Sequence, residues 1–150
     1  MIVKHFGNLL NPLSEVEVLL RILLVEDCPS DAFLVREAVS SFPAKAHLVT
    51  ARDGEKAFQL INDFHFEPDM VFMDLDVPKL DSFEFIQRVR ASQDIPVIVL
   101  SGSVDPADAE RAFKMGAREY IVKPIQVDEF FSKVREAIGR WSSHALSRGA

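Results

Sequence analysis

Short apolar runs alternate with longer stretches of mixed polar and apolar residues from residue 22 onward. The runs occupy residues 22–26, 46–51, 70–74, 95–101 and 118–123. A continuous apolar run of about four to eight residues, without a polar residue at every second position, is typical of a strand buried on both faces of a sheet. The sequence therefore predicts five buried strands.

The stretches between these runs carry apolar residues three and four positions apart, which is the spacing of one helix face. The predicted helices cover residues 29–42, a segment after the Asp53-Gly54 turn, residues 82–92, a segment from Asp105-Pro106 to a C-cap at Gly116, and residues 126–140. On the first helix, Ser30 is the expected N-cap. The expected buried stripe of that helix consists of Phe33, Leu34, Ala38, Val39 and Phe42.

Five strand–helix units in series predict an α/β domain with a parallel sheet and helices on both faces. Right-handed crossovers favour a doubly wound sheet of strand order 2-1-3-4-5 over a barrel, which needs about 250 residues. Residues 1–20 are expected to be an N-terminal extension of unknown role, and residues 21–140 the folded domain. Residues 141–150 are expected to be a short tail with no output domain, with Trp141 packed at the end of the last helix.

The composition narrows the function classes. The chain has 17 Lys and Arg residues against 23 Asp and Glu residues, a net charge of −6, so we expect no direct DNA binding. Its apolar runs are shorter than the ~18–20 residues of a membrane span, so no membrane insertion is expected. With a single cysteine, Cys28, an intrachain disulfide is impossible. We expect a cytoplasmic protein.

Polar residues follow four of the predicted strands, at the ends where open parallel sheets bind ligands. They are Glu26 and Asp27 after the first strand, Asp74 and Asp76 at the end of the third, Ser101 at the end of the fourth, and Lys123 at the end of the fifth. Each has a plain alternative, since strand ends, turns and loops carry such residues anyway. Their occurrence together, in this order, favours one shared site.

The carboxylates of such a site repel one another. At 4 Å and an effective dielectric constant of 20, each pair costs about 4 kcal/mol, so such a cluster normally needs a cation or a proton. Mg²⁺ fits best, because it takes oxygen ligands and is often shared between carboxylates and a phosphate. Asp74 can then attack phosphorus as a nucleophile. Lys123 and the Ser101 hydroxyl can bind the phosphoryl oxygens.

Four segments resemble, in order and spacing, the receiver domain of two-component response regulators. They are ILLVEDCPSD, MVFMDLDVPKLDSFEF, VIVLSGS and EYIVKPI, and the resemblance covers residues 21–140. It implies a flavodoxin-like (βα)5 fold and a single-domain, chemotaxis-regulator-like protein. In such a protein, Asp74 receives a phosphoryl group from the phosphohistidine of a histidine kinase or a phosphotransfer protein. The chain would catalyse its own phosphorylation and dephosphorylation without being a turnover enzyme.

The resemblance also implies roles for individual residues. Asp74 is the phosphoacceptor and a metal ligand, Asp27 binds Mg²⁺ directly, and Glu26 acts mainly through a metal-bound water. Asp76 offers its backbone carbonyl to the metal. Lys123 pairs with the phosphate.

Ser101 and Tyr120 match the switch residues of the family. Phosphorylation adds roughly −1.5 to −2 charge at Asp74, which draws in Ser101 and leaves space for the Tyr120 ring. The surface around the fourth helix, fifth strand and fifth helix is then expected to change, as a bias on an existing equilibrium. An unidentified downstream protein, or a second copy in a homodimer, would read that surface.

The sequence departs from the family at two positions near Asp74. Ser82 stands where the family usually has glycine, which predicts a loop without a glycine-only conformation. Asp76 places a carboxylate where many members have a neutral residue, which predicts an altered phosphoryl lifetime.

Two alternatives use the same residues. Asp74 and Asp76 also match the DxD motif of haloacid dehalogenase-like phosphatases, although those enzymes carry it on their first strand. The other alternative is a docking module of the same fold that is never phosphorylated.

Overall fold

The computed structural model describes residues 19–123 and 126–142, without the side chains of residues 92 and 93. Most of the predicted N-terminal extension and of the predicted C-terminal tail lies outside these ranges. So does the last part of the EYIVKPI segment. The boundaries expected at residues 20 and 140 therefore stay predictions.

Five strands and five helices alternate through the described residues. They are β1 (Leu20–Val25), α1 (Pro29–Ser40), β2 (Ala46–Ala51), α2 (Gly54–Asn62), β3 (Met70–Asp74), α3 (Ser82–Gln93), β4 (Val97–Ser101), α4 (Pro106–Met115), β5 (Glu119–Val122) and α5 (Val127–Trp141). All four strand pairings are parallel, and the strand order is β2-β1-β3-β4-β5. The predicted doubly wound fold is confirmed.

The sheet is covered on both faces, as its apolar runs require. Every residue of β3 and β4 is buried. Helices α1 and α5 pack on one face, and α2, α3 and α4 pack on the other. Each fully buried Val, Leu, Ile, Phe or Met side chain stabilises the fold by roughly 1.5–3 kcal/mol. In β3 and β4, only the last residue of the strand is polar. No helix among the described residues is long and apolar enough to span a membrane.

The start of α1 differs from the prediction. Pro29 is the first helical residue and Cys28 is the N-cap, so the assignment of Ser30 as the cap is wrong. Proline suits this position because the first amide of a helix has no intrahelical acceptor. The predicted stripe is also partly wrong, because Phe33 is exposed and Val35 is buried. Two helical residues turn the chain by about 200°, so these two side chains point in nearly opposite directions.

The other predicted helix signals are confirmed. The side chains of Asp53 and Asp105 accept hydrogen bonds from backbone N–H groups of α2 and α4. Gly116 ends α4 with a φ of 118°, a left-handed conformation that favours glycine. Strand β4 begins at Val97 rather than at residue 95, since Pro96 cannot donate to the sheet.

Glu119 ties the end of α5 to β5. Its carboxylate accepts hydrogen bonds from Trp141 Nε1 at 2.5 Å and from Arg140 Nε at 2.6 Å. The guanidinium of Arg118 lies 5.1 Å from the centre of the Trp141 ring, within the range of a cation–π interaction. Trp141 therefore packs at the end of the last helix, as predicted.

We expect acid to release this contact below pH 4.5. Burial would raise the pKa of Glu119, but the hydrogen bonds from Arg140 and Trp141 outweigh it and hold the pKa below its ordinary value of 4.5. The bound form is the carboxylate, so its contribution to stability is full above pH 4.5 and is lost as the pH falls through the lowered pKa. The fluorescence of Trp141, the single tryptophan of the chain, reports the loss. Glu119→Gln should lack this component of the acid transition; an unchanged transition in the variant would contradict the assignment.

Candidate functional site

Asp74 is the last residue of β3, and its side chain is largely buried where the strands end. One carboxylate oxygen, Oδ1, accepts a hydrogen bond from the backbone N–H of Asp76 at 3.0 Å. The other, Oδ2, accepts one from Lys123 Nζ at 2.7 Å. The carboxylate is therefore held in one orientation by the loop that follows it and by the residue after β5.

Lys123 lies at the centre of the site. Its backbone N–H donates to the carbonyl of Ser101 at 2.7 Å, which extends the pairing of β4 and β5 by one residue. Its ammonium group donates to Glu26 Oε1 at 2.9 Å and to Asp31 Oδ2 at 2.8 Å, in addition to Asp74. One cation therefore joins three carboxylates: Glu26 directly after β1, Asp31 in the first turn of α1, and Asp74 at the end of β3.

The pKa shifts in this cluster follow from burial and from Lys123. Burial raises the pKa of Glu26, and its hydrogen bond to Lys123 only partly offsets this. Burial would also raise the pKa of Asp74, but the hydrogen bonds from Lys123 and from the Asp76 backbone outweigh it and lower that pKa. Burial alone would lower the pKa of Lys123, yet its carboxylate partners raise it above the usual range. At neutral pH, Asp74 is thus an anion facing a cation.

The cluster keeps an excess of negative charge that suits a divalent cation. Glu26, Asp31 and Asp74 each bring a carboxylate oxygen within 4.8 Å of the others. Three carboxylates and one ammonium leave two negative charges when all are ionised. Oxygen donors of this kind match Mg²⁺ and Mn²⁺, so the residues present fit such an ion.

Two predicted metal ligands lie at the edge of this cluster. Asp27 and Asp76 are both exposed, and neither side chain belongs to the close group of three carboxylates. Asp76 reaches the site through its backbone N–H. Their predicted roles as metal ligands stay predictions.

Asp31 was missed by reasoning from strand ends alone. It lies in the first turn of α1, four residues after Asp27, and not at the end of a strand. The first turn of a helix that directly follows a strand lies beside that strand's end. A search for acids in such first turns would have found Asp31.

The two predicted switch residues meet at Ser103. Ser101 is buried at the end of β4, and its hydroxyl oxygen accepts a hydrogen bond from the Ser103 N–H at 3.0 Å. Tyr120, on β5, donates its hydroxyl to the Ser103 carbonyl at 3.0 Å. Ser103 also donates its own hydroxyl to Asp108 of α4 at 2.6 Å. None of these three contacts of Ser103 could be inferred from strand patterns.

The loop after Asp74 uses no glycine-only conformation at Ser82, in agreement with the prediction. Ser82 is the first residue of α3, and the left-handed conformation in this loop falls at Lys79, with a φ of 58°. The buried Ser82 hydroxyl donates to the carbonyl of Leu75 at 2.6 Å. It thereby closes the loop that begins directly after Asp74.

The same loop is held on its other side by α2. The N–H of Gly54 donates to the Pro78 carbonyl at 3.1 Å. A Cβ atom on Gly54 would lie 2.3 Å from the Lys79 carbonyl oxygen, closer than a side chain tolerates. Only glycine allows this approach of α2 to the loop.

Comparison with known proteins identifies the class. Residues 22–135 match the model of the response regulator receiver domain family, and the chain belongs to that family. Receiver domains are signalling domains of two-component systems that bind a divalent metal at an acidic pocket. The phosphatase alternative is disfavoured, since the family is a signalling one and the Asp74–Asp76 pair begins at the end of the third strand instead of the first.

Several curated relatives are transcriptional regulators. The chain is 34% identical over 134 residues to the probable transcriptional regulator ycf27 of Guillardia theta, covering 89% of this chain and 51% of that one. It is 33% identical over 123 residues to the DNA-binding dual master transcriptional regulator RpaA of Synechocystis sp., covering 80% and 49%. The chain thus spans about half the length of these relatives. The expected absence of direct DNA binding stays a prediction.

Two solved structures combine a similar fold with more than a quarter of identical residues. The phosphorylated cyanobacterial phytochrome response regulator RcpA has a TM-score of 0.72 and 29% identity, covering 81% of this chain and 92% of that one. The Mn²⁺-bound form of response regulator Rcp1 has a TM-score of 0.71 and 27% identity, covering 81% and 93%.

Substitution of Ser82 tests the closure of the loop. Ser82→Ala removes the donor to the Leu75 carbonyl, and we expect the free energy of unfolding to fall by about 1–2 kcal/mol. Ser82→Gly, which restores the residue usual in the family, should destabilise the chain at least as much. Urea unfolding measures both variants. Ser40→Ala, at an exposed position near the end of α1, is the control, and an equal effect there would contradict the role of Ser82.

Proposed function

We propose that the chain is a phosphorylation-controlled switch in which Asp74 accepts a phosphoryl group from the phosphohistidine of a histidine kinase or phosphotransfer protein. The observation that carries this is the Asp74 carboxylate at the end of β3, 2.7 Å from the Lys123 ammonium. A carboxylate oxygen of Asp74 forms a bond to phosphorus. The phosphorus–nitrogen bond of the donor breaks, and its electron pair returns to the imidazole.

The residues around Asp74 supply the positive and hydrogen-bonding partners of the transferred group. Lys123 binds a phosphoryl oxygen and offsets part of the roughly −1.5 to −2 charge that the group brings. The Asp76 N–H already orients the attacking carboxylate. The Ser101 hydroxyl, at the end of the neighbouring strand, binds a second phosphoryl oxygen.

The metal in this proposal is Mg²⁺. The carboxylates of Glu26, Asp27 and Asp74 and the backbone carbonyl of Asp76 would hold it, with Glu26 acting mainly through water. When bound, the ion neutralises the excess carboxylate charge and the charge on the phosphoryl oxygens. Asp27 is exposed beside the cluster, which leaves it accessible to an ion at the rim.

Switching is proposed to follow from the contacts of Ser103. When Ser101 turns towards the phosphoryl group, its hydroxyl gives up the hydrogen bond from the Ser103 N–H. Ser103 contacts both Tyr120 and Asp108, so its movement alters β5 and α4 together. The surface of α4, β5 and α5 then presents a different face to a downstream protein or to a second copy of the chain. We place this activity in the cytoplasm, without direct contact to DNA.

Treatment with acetyl phosphate and Mg²⁺ tests the phosphoacceptor. We expect one phosphoryl group per chain, measured as intact mass, and none when a chelator removes the metal. Asp74→Asn should take up none, because the amide nitrogen and oxygen are poor nucleophiles. Asp128→Asn, an exposed carboxylate on α5, should behave as wild type. Continuous turnover of p-nitrophenyl phosphate would instead favour a phosphatase, and no mass gain would favour a docking module.

Asp76→Asn tests the effect of the extra carboxylate on phosphoryl lifetime. The exposed Asp76 side chain repels the phosphoryl group and can orient an attacking water, so its neutralisation should slow dephosphorylation. An exposed charge interaction corresponds to a change of roughly two- to fivefold in the rate. The decay of phosphorylated protein after removal of acetyl phosphate gives the rate, with Asp76→Glu as the charge-retaining control. Equal decay rates of wild type and Asp76→Asn would contradict an effect of the Asp76 carboxylate on the phosphoryl lifetime.

A further inference from the structure

The ammonium of Lys123 has no N–H group left to offer. A lysine ammonium has three N–H donors. In this structure it donates to three different carboxylates, those of Glu26, Asp31 and Asp74, at 2.9, 2.8 and 2.7 Å. A phosphoryl oxygen that binds Lys123 must therefore displace one of these partners.

The three partners differ in how easily they can be displaced. The Glu26 side chain is 0% exposed, so loss of Lys123 would leave a buried carboxylate without its counter-ion. Asp74 is the attacking group itself, and its side chain is only 11% exposed, so water has little access to replace Lys123 there. The Asp31 side chain is 36% exposed, so water can replace Lys123 there at the lowest cost.

The surroundings of Asp31 also favour its release. Asp31 lies in the first turn of α1, where the partial positive charge of the helix N-terminus stabilises a carboxylate without help from Lys123. A cavity of about 70 Å³ between α1 and α5 is lined by Asp31 and Lys123 and, for the rest, by the apolar residues Leu34, Val35, Val127 and Phe130. A water takes up roughly 30 Å³ of liquid volume, so the cavity has room for the carboxylate to turn or for water beside it.

We propose that Asp31 is the exchangeable partner of Lys123, which gives up one ammonium donor to the phosphoryl oxygen when Asp74 is phosphorylated. This inference rests on the proposed function of Asp74. Asp31 is a positioning residue, because it acts through Lys123 and does not touch the reacting atoms. It opposes phosphorylation, and it ties the first turn of α1 to the state of the site.

The exchange accompanies transfer without any change in protonation. With acetyl phosphate, a carboxylate oxygen of Asp74 forms a bond to phosphorus. The bond from phosphorus to the acetyl oxygen breaks, and its electron pair leaves with acetate. One N–H of Lys123 moves its hydrogen bond from Asp31 Oδ2 to a phosphoryl oxygen.

Asp31→Asn tests the exchange, because an amide competes for the ammonium less strongly than a carboxylate. At a saturating Mg²⁺ concentration for each protein, we expect phosphorylation by acetyl phosphate to be about five- to tenfold faster than in wild type, the range that a partly exposed charged hydrogen bond corresponds to. The Mg²⁺ concentration for half-maximal rate should rise, since one negative charge is lost. A faster maximal rate together with a weaker affinity for Mg²⁺ separates exchange from general damage to the site, which would not raise the rate.

Matched variants accompany this measurement. Glu37→Gln removes the same charge from an exposed position of the same helix and should leave both quantities unchanged. Asp31→Glu keeps the carboxylate and should return the rate towards wild type. Asp31→Ser, with a residue suited to a helix start, repeats the test should Asp31→Asn unfold at a lower temperature than wild type.

A second readout does not depend on phosphorylation. The ¹⁵N resonance of the Lys123 ammonium should shift in unphosphorylated Asp31→Asn, and should not shift in Glu37→Gln. A rate in Asp31→Asn equal to or below that of wild type at saturating Mg²⁺ would overturn the inference. Absence of phosphoryl uptake by wild type would overturn the proposed function as well, whereas uptake with an unshifted Lys123 resonance overturns only the role of Asp31.

Discussion

The carboxylates around the Lys123 ammonium come from parts of the chain that are far apart in sequence. Glu26, Asp31 and Asp74 lie 97, 92 and 49 residues away from the lysine. Without the cation, three acidic groups would face one another in a partly buried crevice, at several kcal/mol for each close pair. Lys123 thus makes it possible to gather acids at the ends of β1 and β3. The three carboxylates still exceed the single ammonium in charge, and this excess suits a divalent ion. Lys123 therefore both stabilises the fold at this point and sets the charge of the site.

The parallel sheet explains why these residues meet. Strands buried on both faces have no room for polar side chains within their length, and all five strands end at the same edge. The polar residues of the site therefore lie at the ends of the strands or, like Asp31, in the helix turn that follows one. Because β1 and β3 are neighbours, the acids at their ends lie side by side. Strand β5 lies two strands from β3, and the flexible side chain of Lys123 reaches across the end of β4 to the acids.

The fold and three residues of the Lys123 cluster, namely Glu26, Asp74 and Lys123 itself, were predictable from sequence for this reason. Glu26, Asp74, Ser101 and Lys123 all close apolar runs, and a run can be recognised without knowing what packs against it. Asp31 could not be found in this way, since its place depends on where the first turn of α1 comes to lie. The hydrogen bonds of Ser82 and Ser103 could not be predicted from sequence, because they depend on loop geometry that no periodic pattern encodes. The misjudged face of α1 has a related cause: both Phe33 and Val35 are apolar, and only packing against the sheet distinguishes them.

The close approach of Gly54 to the loop after β3 has a consequence for protein engineering. The loop and the start of α2 share backbone contacts that leave no space even for a methyl group. An insertion or a bulkier turn in residues 75–81 would therefore displace α2, and a redesigned α2 would disturb the loop that orients Asp74. The two segments form one module, to be grafted or replaced together.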